Sequence, residues 1–401
     1  MTDDRMITRR SVLMGAAGAT AVGLVGGLPD TADAAAGRPP LWKQAERAGI
    51  VFGSSIATWQ LDPQYKKLHA HECGLLWPED DLLWYQLKPT PDSPLDFSSG
   101  DRIFRFARHH RQLRIGNFLV WDEGFGEGWT DDDLWGLGKK EAKKLLFGTA
   151  ERMVRHYKGT LKAWIVANEV TDPEGDKNGI RTNVPWYNTI GPSYIARCFE
   201  IAREHDPKAL RVLNEFGFET VNEFGDTAAA RRHAFLKALD HLLDRKVPIQ
   251  AVGIQGHLLA DQFHERFHEK AYRKFLQELQ DRNLKILITE MDVLDEGLVK
   301  RVEIRDQKVA DVYRHYLDVT LDEPAVKVVN CFGLTDRYTW LDEDNPRSDG
   351  AHRRPLPFDR NLKAKPAYFA ISHSFRHAPK RNMLWHLHKR PESRRGLVGA
   401  G

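Results

Sequence analysis

Leu161-Lys162-Ala163-Trp164-Ile165-Val166-Ala167-Asn168-Glu169-Val170 is an apolar run that closes on an amide and a carboxylate. Its apolar residues do not alternate with polar ones. A short run of this kind suits a strand covered on both faces, as in a parallel sheet flanked by helices. A carboxylate at the end of such a strand leaves water at a cost, so its position calls for a chemical reason.

Seven further runs of the same type lie at 50–56, 73–77, 113–121, 211–216, 250–258, 285–293 and 326–335. Between them stand amphipathic segments of helical period at 100–111, 139–157, 193–205, 228–245, 264–282 and 305–321. A last helix begins near Lys365-Pro366-Ala367, where Pro suits the first turn. Eight strand-then-helix units predict an α/β fold, a single (β/α)8 TIM barrel with its working residues at the carboxyl ends of the strands. The long connections at 122–138 and 171–192 are then expected to build the rim of a cleft.

A second strand-end carboxylate stands in Leu287-Ile288-Thr289-Glu290-Met291-Asp292. One Asn-Glu pair is common on surfaces and at helix ends. Two carboxylates at the ends of buried strands in one barrel suit glycoside hydrolysis, which needs two carboxyl groups flanking the anomeric carbon. Glu290 and Asp292, two apart on a strand, share a face. His257, in Gln255-Gly256-His257, is placed to join them in a network that orients the nucleophile.

The rest of the chain limits the alternatives. Hydrophobic residues make up 41% and charged residues 29%, as in an ordinary globular protein, and a formal charge of +3 gives no reason to expect a nucleic-acid partner. Eleven Trp are enough to stock both a core and a sugar cleft, where flat aromatic faces meet pyranose C–H faces. Thr8-Arg9-Arg10-Ser11 precedes an uncharged Gly/Ala-rich apolar run to Leu28 and then Ala32-Asp33-Ala34-Ala35-Ala36. Residues 1–36 therefore look like a twin-arginine-type signal peptide that sends the protein to the periplasm or outside the cell, with no stable membrane insertion. Residues 37–375 form the expected catalytic domain, and 376–401 a basic, solvated tail. Cys73, Cys198 and Cys331 are too dispersed for a metal site or a disulfide framework and read as buried thiols. No metal or cofactor is implied, and a monomer acting on a polysaccharide is expected.

Several ordered motifs resemble those of glycoside hydrolase family 10, the endo-β-1,4-xylanase family. Trp164–Val170 is similar to its acid/base segment W-D-V-V-N-E, and Ile288–Asp292 to its nucleophile segment T-E-L-D. Val252–Leu258 resembles the Q-S-H-L strand, and Asn214-Glu215-Phe216 the N-D-Y. Phe332–Trp340 resembles the closing W-G-x-x-D-x-x-S-W, and Leu356–Asp359 and Lys365–Tyr368 the last motifs. The resemblance spans roughly 42–375. It implies retention through a covalent glycosyl-enzyme, with Glu290 as nucleophile and Glu169 as acid/base. It also implies that Asn168 binds the sugar 2-hydroxyl, that Gln255 and His257 steady the nucleophile side, and that Glu79, Asn117, Trp121, Asp292 and Trp340 support or bind substrate.

Departures from the family pattern cluster on the side expected to hold the non-reducing end. P-E-N-x-x-K appears as Pro78-Glu79-Asp80-Asp81-Leu82-Leu83, so Leu83 replaces Lys and Asp80 replaces Asn. H-T-L-V-W-H reads Asn117-Phe118-Leu119-Val120-Trp121-Asp122, and Phe332 stands for a Trp. These changes predict a shifted substrate choice, because sugar hydroxyls lose donors. Hydrolysis or transglycosylation of a bacterial exopolysaccharide uses the same carboxylates. A non-catalytic carbohydrate-binding relative is the other alternative, and retention of both carboxylates speaks against it.

Overall fold

The computed structural model describes residues 38–175, 178–222 and 224–387. The signal-peptide reading of 1–36 and the end of the tail lie outside the described residues. Nine parallel strands form among these: β1 (Val51–Ile56), β2 (Leu75–Pro78), β3 (Leu113–Gly116), β4 (Ala163–Asn168), β5 (Leu210–Glu215), β6 (Ala251–Ile254), β7 (His257–Leu259), β8 (Lys285–Leu294) and β9 (Val326–Cys331). β1 through β6 pair in chain order, β6 pairs β8, β8 pairs β9, and β9 returns to β1 with Val51 opposite Val328. The ring is closed by eight staves, the (β/α)8 barrel that the run spacing predicts. β7 adds no stave. It prolongs β6 and pairs with the upper part of β8, His257 opposite Asp292.

Alternation along the strands sorts the core into two layers. Val51, Leu75, Trp77, Leu113, Ile115, Ala163, Ile165, Val212, Ala251, Leu287 and Val328 point inward and fill the barrel. Their neighbours, among them Phe52, Leu76, Trp164, Leu213, Val252, Ile286 and Val329, point outward under the helices. This double burial is why the strands read as unbroken apolar runs.

The helices differ in part from expectation. The 264–282 segment is broken into Phe263–Arg266 and Glu269–Asp281. The helices not foreseen include Leu41–Arg47 and Pro63–Glu72, before β1 and β2, and the short Asp131–Trp135 and Pro185–Ile190 in the long connections. Pro63–Glu72 is mostly polar and gives little apolar period. What starts it is Asp62, whose carboxylate accepts from the Gln64 and Tyr65 amides, with Pro63 in the first turn. The last helix, Pro366–His377, crosses the domain boundary expected at 375 and packs on Val302–Thr320 and Leu41–Arg47. Ser372 Oγ donates to Gln44 Oε1 at 2.6 Å.

The first part of the expected solvated tail is also packed. The Arg381 guanidinium donates to the carbonyls of Leu321, Glu323 and Val326, and its amide donates to Ala48 O. Met383, Leu384, Trp385 and Leu387 cover the inner layer at the amino ends of the strands. Four apolar side chains among the basic residues are sufficient to dock the segment. Cys73, Cys198 and Cys331 are buried and take part in no disulfide. Among the described residues no helix is long and apolar enough to cross a membrane.

Candidate active site

The carboxyl ends of β4, β5, β6 and β8 converge on one polar cluster. Register sets Asn168 beside Asn214 and Asn214 beside Gly253. A Cβ at position 253 would lie 2.0 Å from Asn214 Oδ1, so glycine there is what admits the Asn214 side chain. Gly256, with φ +76, breaks β6 from β7 and turns Gln255 and His257 into the barrel mouth.

Both carboxylate-bearing strands become irregular just before the carboxylate. The β4–β5 register shifts between Ile165 and Ala167, and the β8–β9 register between Ile288 and Met291. Glu169 itself has φ +54, a left-handed conformation that costs a non-glycine residue about 1–3 kcal/mol. Its amide donates to Asn214 O at 3.1 Å.

Glu169 is buried and its two oxygens have separate donors. Gln255 Nε2 donates to Oε1 at 2.8 Å, and Trp121 Nε1 donates to Oε2 at 3.2 Å. Glu290 sits in a second set. Asn214 Nδ2 donates to its Oε1 at 2.7 Å, and His257 Nε2 lies 3.5 Å from its Oε2. The same Asn214 amide donates to Asn168 Oδ1 at 2.8 Å, and Thr289 Oγ1 donates to Asn214 Oδ1 at 2.7 Å. The two sets are therefore joined through Asn168 and Asn214.

His257 stands between Glu290 and Asp292. Burial alone would depress its pKa, but the Asp292 carboxylate at 2.8 Å from Nδ1 and Glu290 beyond Nε2 push it up to about 10. As an imidazolium it donates from both nitrogens. Trp340 Nε1 donates to Asp292 Oδ2 at 2.8 Å and fixes that carboxylate. Phe332 meets the edges of Trp77, His257 and Trp340, with centroids 6.5, 5.7 and 6.2 Å away.

The opposite wall lies after β1, β2 and β3. Glu79 accepts from Ser55 Oγ at 2.7 Å and Gln60 Nε2 at 3.2 Å; burial, with Asp80 and Asp81 adding repulsion, raises it to about 8. Asp80 accepts from Trp59 Nε1 at 2.6 Å and is raised by burial. Burial raises Asp81 to about 6 although Ser99 Oγ and the Thr58 amide donate to it. Asn117 is buried and its Oδ1 meets no partner among the described residues. Asp122 pairs with Arg181 at 2.9 Å; burial outweighs that cation and, with Glu169 adding repulsion, raises it to about 6.

Every residue singled out from sequence thus falls on the mouth of the barrel, with one change of partner. Gln255 was expected beside the nucleophile candidate, but its side-chain amide serves Glu169 and Asn168, and only its backbone carbonyl meets the Glu290 amide. The donor on Glu290 is instead Asn214. That residue, Thr289 and Arg181 were not singled out as site residues. The available signal for Asn214 was an amide ending a buried strand, the same signal that marked Asn168.

The family model described as Glycosyl hydrolase family 10 matches residues 41–374. Endo-1,4-beta-xylanase B of Thermotoga neapolitana is 29% identical over 336 residues, covering 83% of this chain and 90% of that protein. The crystal structure of native xylanase 10B from Thermotoga maritima superposes with TM-score 0.72 at 29% identity, covering 84% of this chain and 98% of that one. Xylanase 10B from Thermotoga petrophila RKU-1, solved in complex with xylobiose, gives TM-score 0.72 at 28% identity, covering 84% and 97%.

Proposed function

We propose, from the premise that the chain belongs to glycosyl hydrolase family 10, that it cleaves β-1,4-linked xylan or a related polysaccharide within the chain and retains the anomeric configuration. The observation that carries the residue roles is the pair of buried carboxyl groups held in separate donor sets and joined through Asn168 and Asn214.

Glu290 is the nucleophile. The Asn214 amide and the His257 imidazolium hold its carboxylate in position, and a lone pair of one carboxylate oxygen attacks the anomeric carbon. Glu169 donates its proton to the glycosidic oxygen as the C–O bond breaks, so the leaving sugar departs as a neutral alcohol. The glycosyl ester on Glu290 carries no charge, which removes the repulsion that favoured a protonated Glu169. Glu169 then takes a proton from water, the hydroxide oxygen bonds to the anomeric carbon, and the ester breaks to regenerate Glu290. Two inversions give net retention. In this reading Asn168, braced by the Asn214 amide, hydrogen-bonds the sugar 2-hydroxyl.

Variants at the two carboxylates, assayed on xylan with product analysis, test this directly. Glu290→Ala is expected to lose at least about 10⁴-fold in kcat. Glu169→Ala is expected to lose about 10²–10⁴-fold on xylan while keeping activity on aryl glycosides whose leaving group needs no proton. Azide should rescue Glu169→Ala as the β-glycosyl azide and Glu290→Ala as the α-anomer. Rescue with the anomers exchanged would reverse the two roles, and xylan left intact by the parent protein would remove the substrate.

A further inference from the structure

Trp59 is 62% exposed, the one tryptophan among the large exposed apolar side chains of the described residues. It lies on the short turn Thr58–Gln60 just after β1, on the same face of the barrel as the carboxylates. An indole left open to water gains nothing from the hydrophobic effect. This one is nevertheless held in place. Its Nε1 donates to Asp80 Oδ2 at 2.6 Å, and its ring meets the Tyr338 ring edge-on, 5.6 Å between centroids at 89°. Tyr338 is fixed in turn, its hydroxyl donating to Asp62 Oδ2 at 2.7 Å. The ring is oriented before any ligand arrives, so binding would not have to freeze it.

Beside the indole lies a cavity of about 490 Å³, whose lining includes Trp59, Thr58, Asp62, Asp81, Gln86, Ser99 and Arg102. That volume falls in the range of about 300–1,000 Å³ usual for small-ligand sites. Its two acids, Asp62 and Asp81, are already engaged: Asp81 accepts from the Thr58 amide and from Ser99 Oγ, and Asp62 from the Gln64 and Tyr65 amides and the Tyr338 hydroxyl. The cavity therefore offers a flat apolar face next to hydroxyl, amide and guanidinium groups. A pyranose has the matching chemistry, with an apolar C–H face for the ring and hydroxyls for the rim.

We infer that Trp59 and this cavity form a distal subsite for one neutral sugar unit of a β-linked polysaccharide, continuing the cleft past Glu79 and Asp80. Asp80 connects the two, since it follows Glu79 in the chain and holds the Trp59 indole. The inference rests on reading the cleft as a polysaccharide site, and its test is by binding so that the two can fail separately.

The test is calorimetric titration of the turnover-silenced Glu290→Gln protein with xylotriose, xylohexaose and cellohexaose, alone and combined with Trp59→Ala or Trp59→Phe. The exposed position makes misfolding of the variants easy to exclude by thermal unfolding. Trp59→Ala should weaken hexaose binding about 10-fold and leave xylotriose within about twofold, with Trp59→Phe in between. Equal losses for triose and hexaose, hexaose affinities unmoved by Trp59→Ala, or no hexaose binding at all would each overturn the subsite. Trp59-dependent hexaose binding by a protein whose active form leaves xylan intact would keep the subsite and remove the xylan reading.

Discussion

Around β4, β5 and β8 the buried carboxyl groups meet oriented donors: the Asn214 amide on Glu290, and the His257 imidazolium between Glu290 and Asp292. At the β1–β2 edge Glu79, Asp80 and Asp81 crowd together with hydroxyls, amides and an indole as donors, and burial raises all three. One side sets a charged imidazolium between two carboxyl groups. The other meets its three carboxyl groups with neutral donors, and burial holds all three above the usual carboxylate range. Leu83 stands where the motif that this segment resembles has a lysine.

The contrast breaks most readily at Asn214, the amide that spans both donor sets. Asn214→Ala removes an oriented donor from Glu290 and the brace from Asn168, and kcat/KM should fall about 10²–10³-fold. A loss under about fivefold would mean that His257 alone holds the nucleophile. Between the two regions stands the Asp122–Arg181 pair, whose charges both act on Glu169. Asp122→Asn leaves the cation uncompensated and should move the alkaline limb of the kcat/KM profile to lower pH. Arg181→Gln leaves the anion and should move it to higher pH, each by about half a pH unit or more. Shifts of the same sign would assign the pair a purely structural role.

The smallest effect concerns stability at Glu79. Between its unfolded value near 4.5 and its folded value of about 8, the unfolded chain releases the proton while the folded chain keeps it. Stability is therefore lost as pH rises through that window, and above it the full penalty remains. Glu79→Gln does not titrate, so its Tm relative to the parent should rise by about 2–4 °C between pH 6 and pH 9. A pH-independent difference would show that Glu79 is ionised throughout.

All eight staves were legible because doubly buried parallel strands leave uninterrupted apolar runs. The break after β6 was not, since Gln250–Leu258 reads as one run and only the positive φ of Gly256 divides it. Strand-end position marked Glu169, Glu290, Asn168 and His257. It could not show which donor serves which carboxylate, because Asn214 and Gln255 are far in sequence from the groups they touch. The left-handed backbone at Glu169 was equally invisible: no glycine announces it, and the surrounding bonds impose it. The docked tail was misread because its charges outnumber the four apolar side chains that decide its position.

The Arg381 clasp has a practical consequence. It ties residue 381 to Ala48 and to the carbonyls around β9, at the base of the barrel, so the two ends of the described fold lie together on the face away from the cleft. A carrier, a bead or a second enzyme coupled behind Leu387 would stand on that side. The immobilised protein would keep its cleft turned toward the medium, where a long insoluble fibre could reach it.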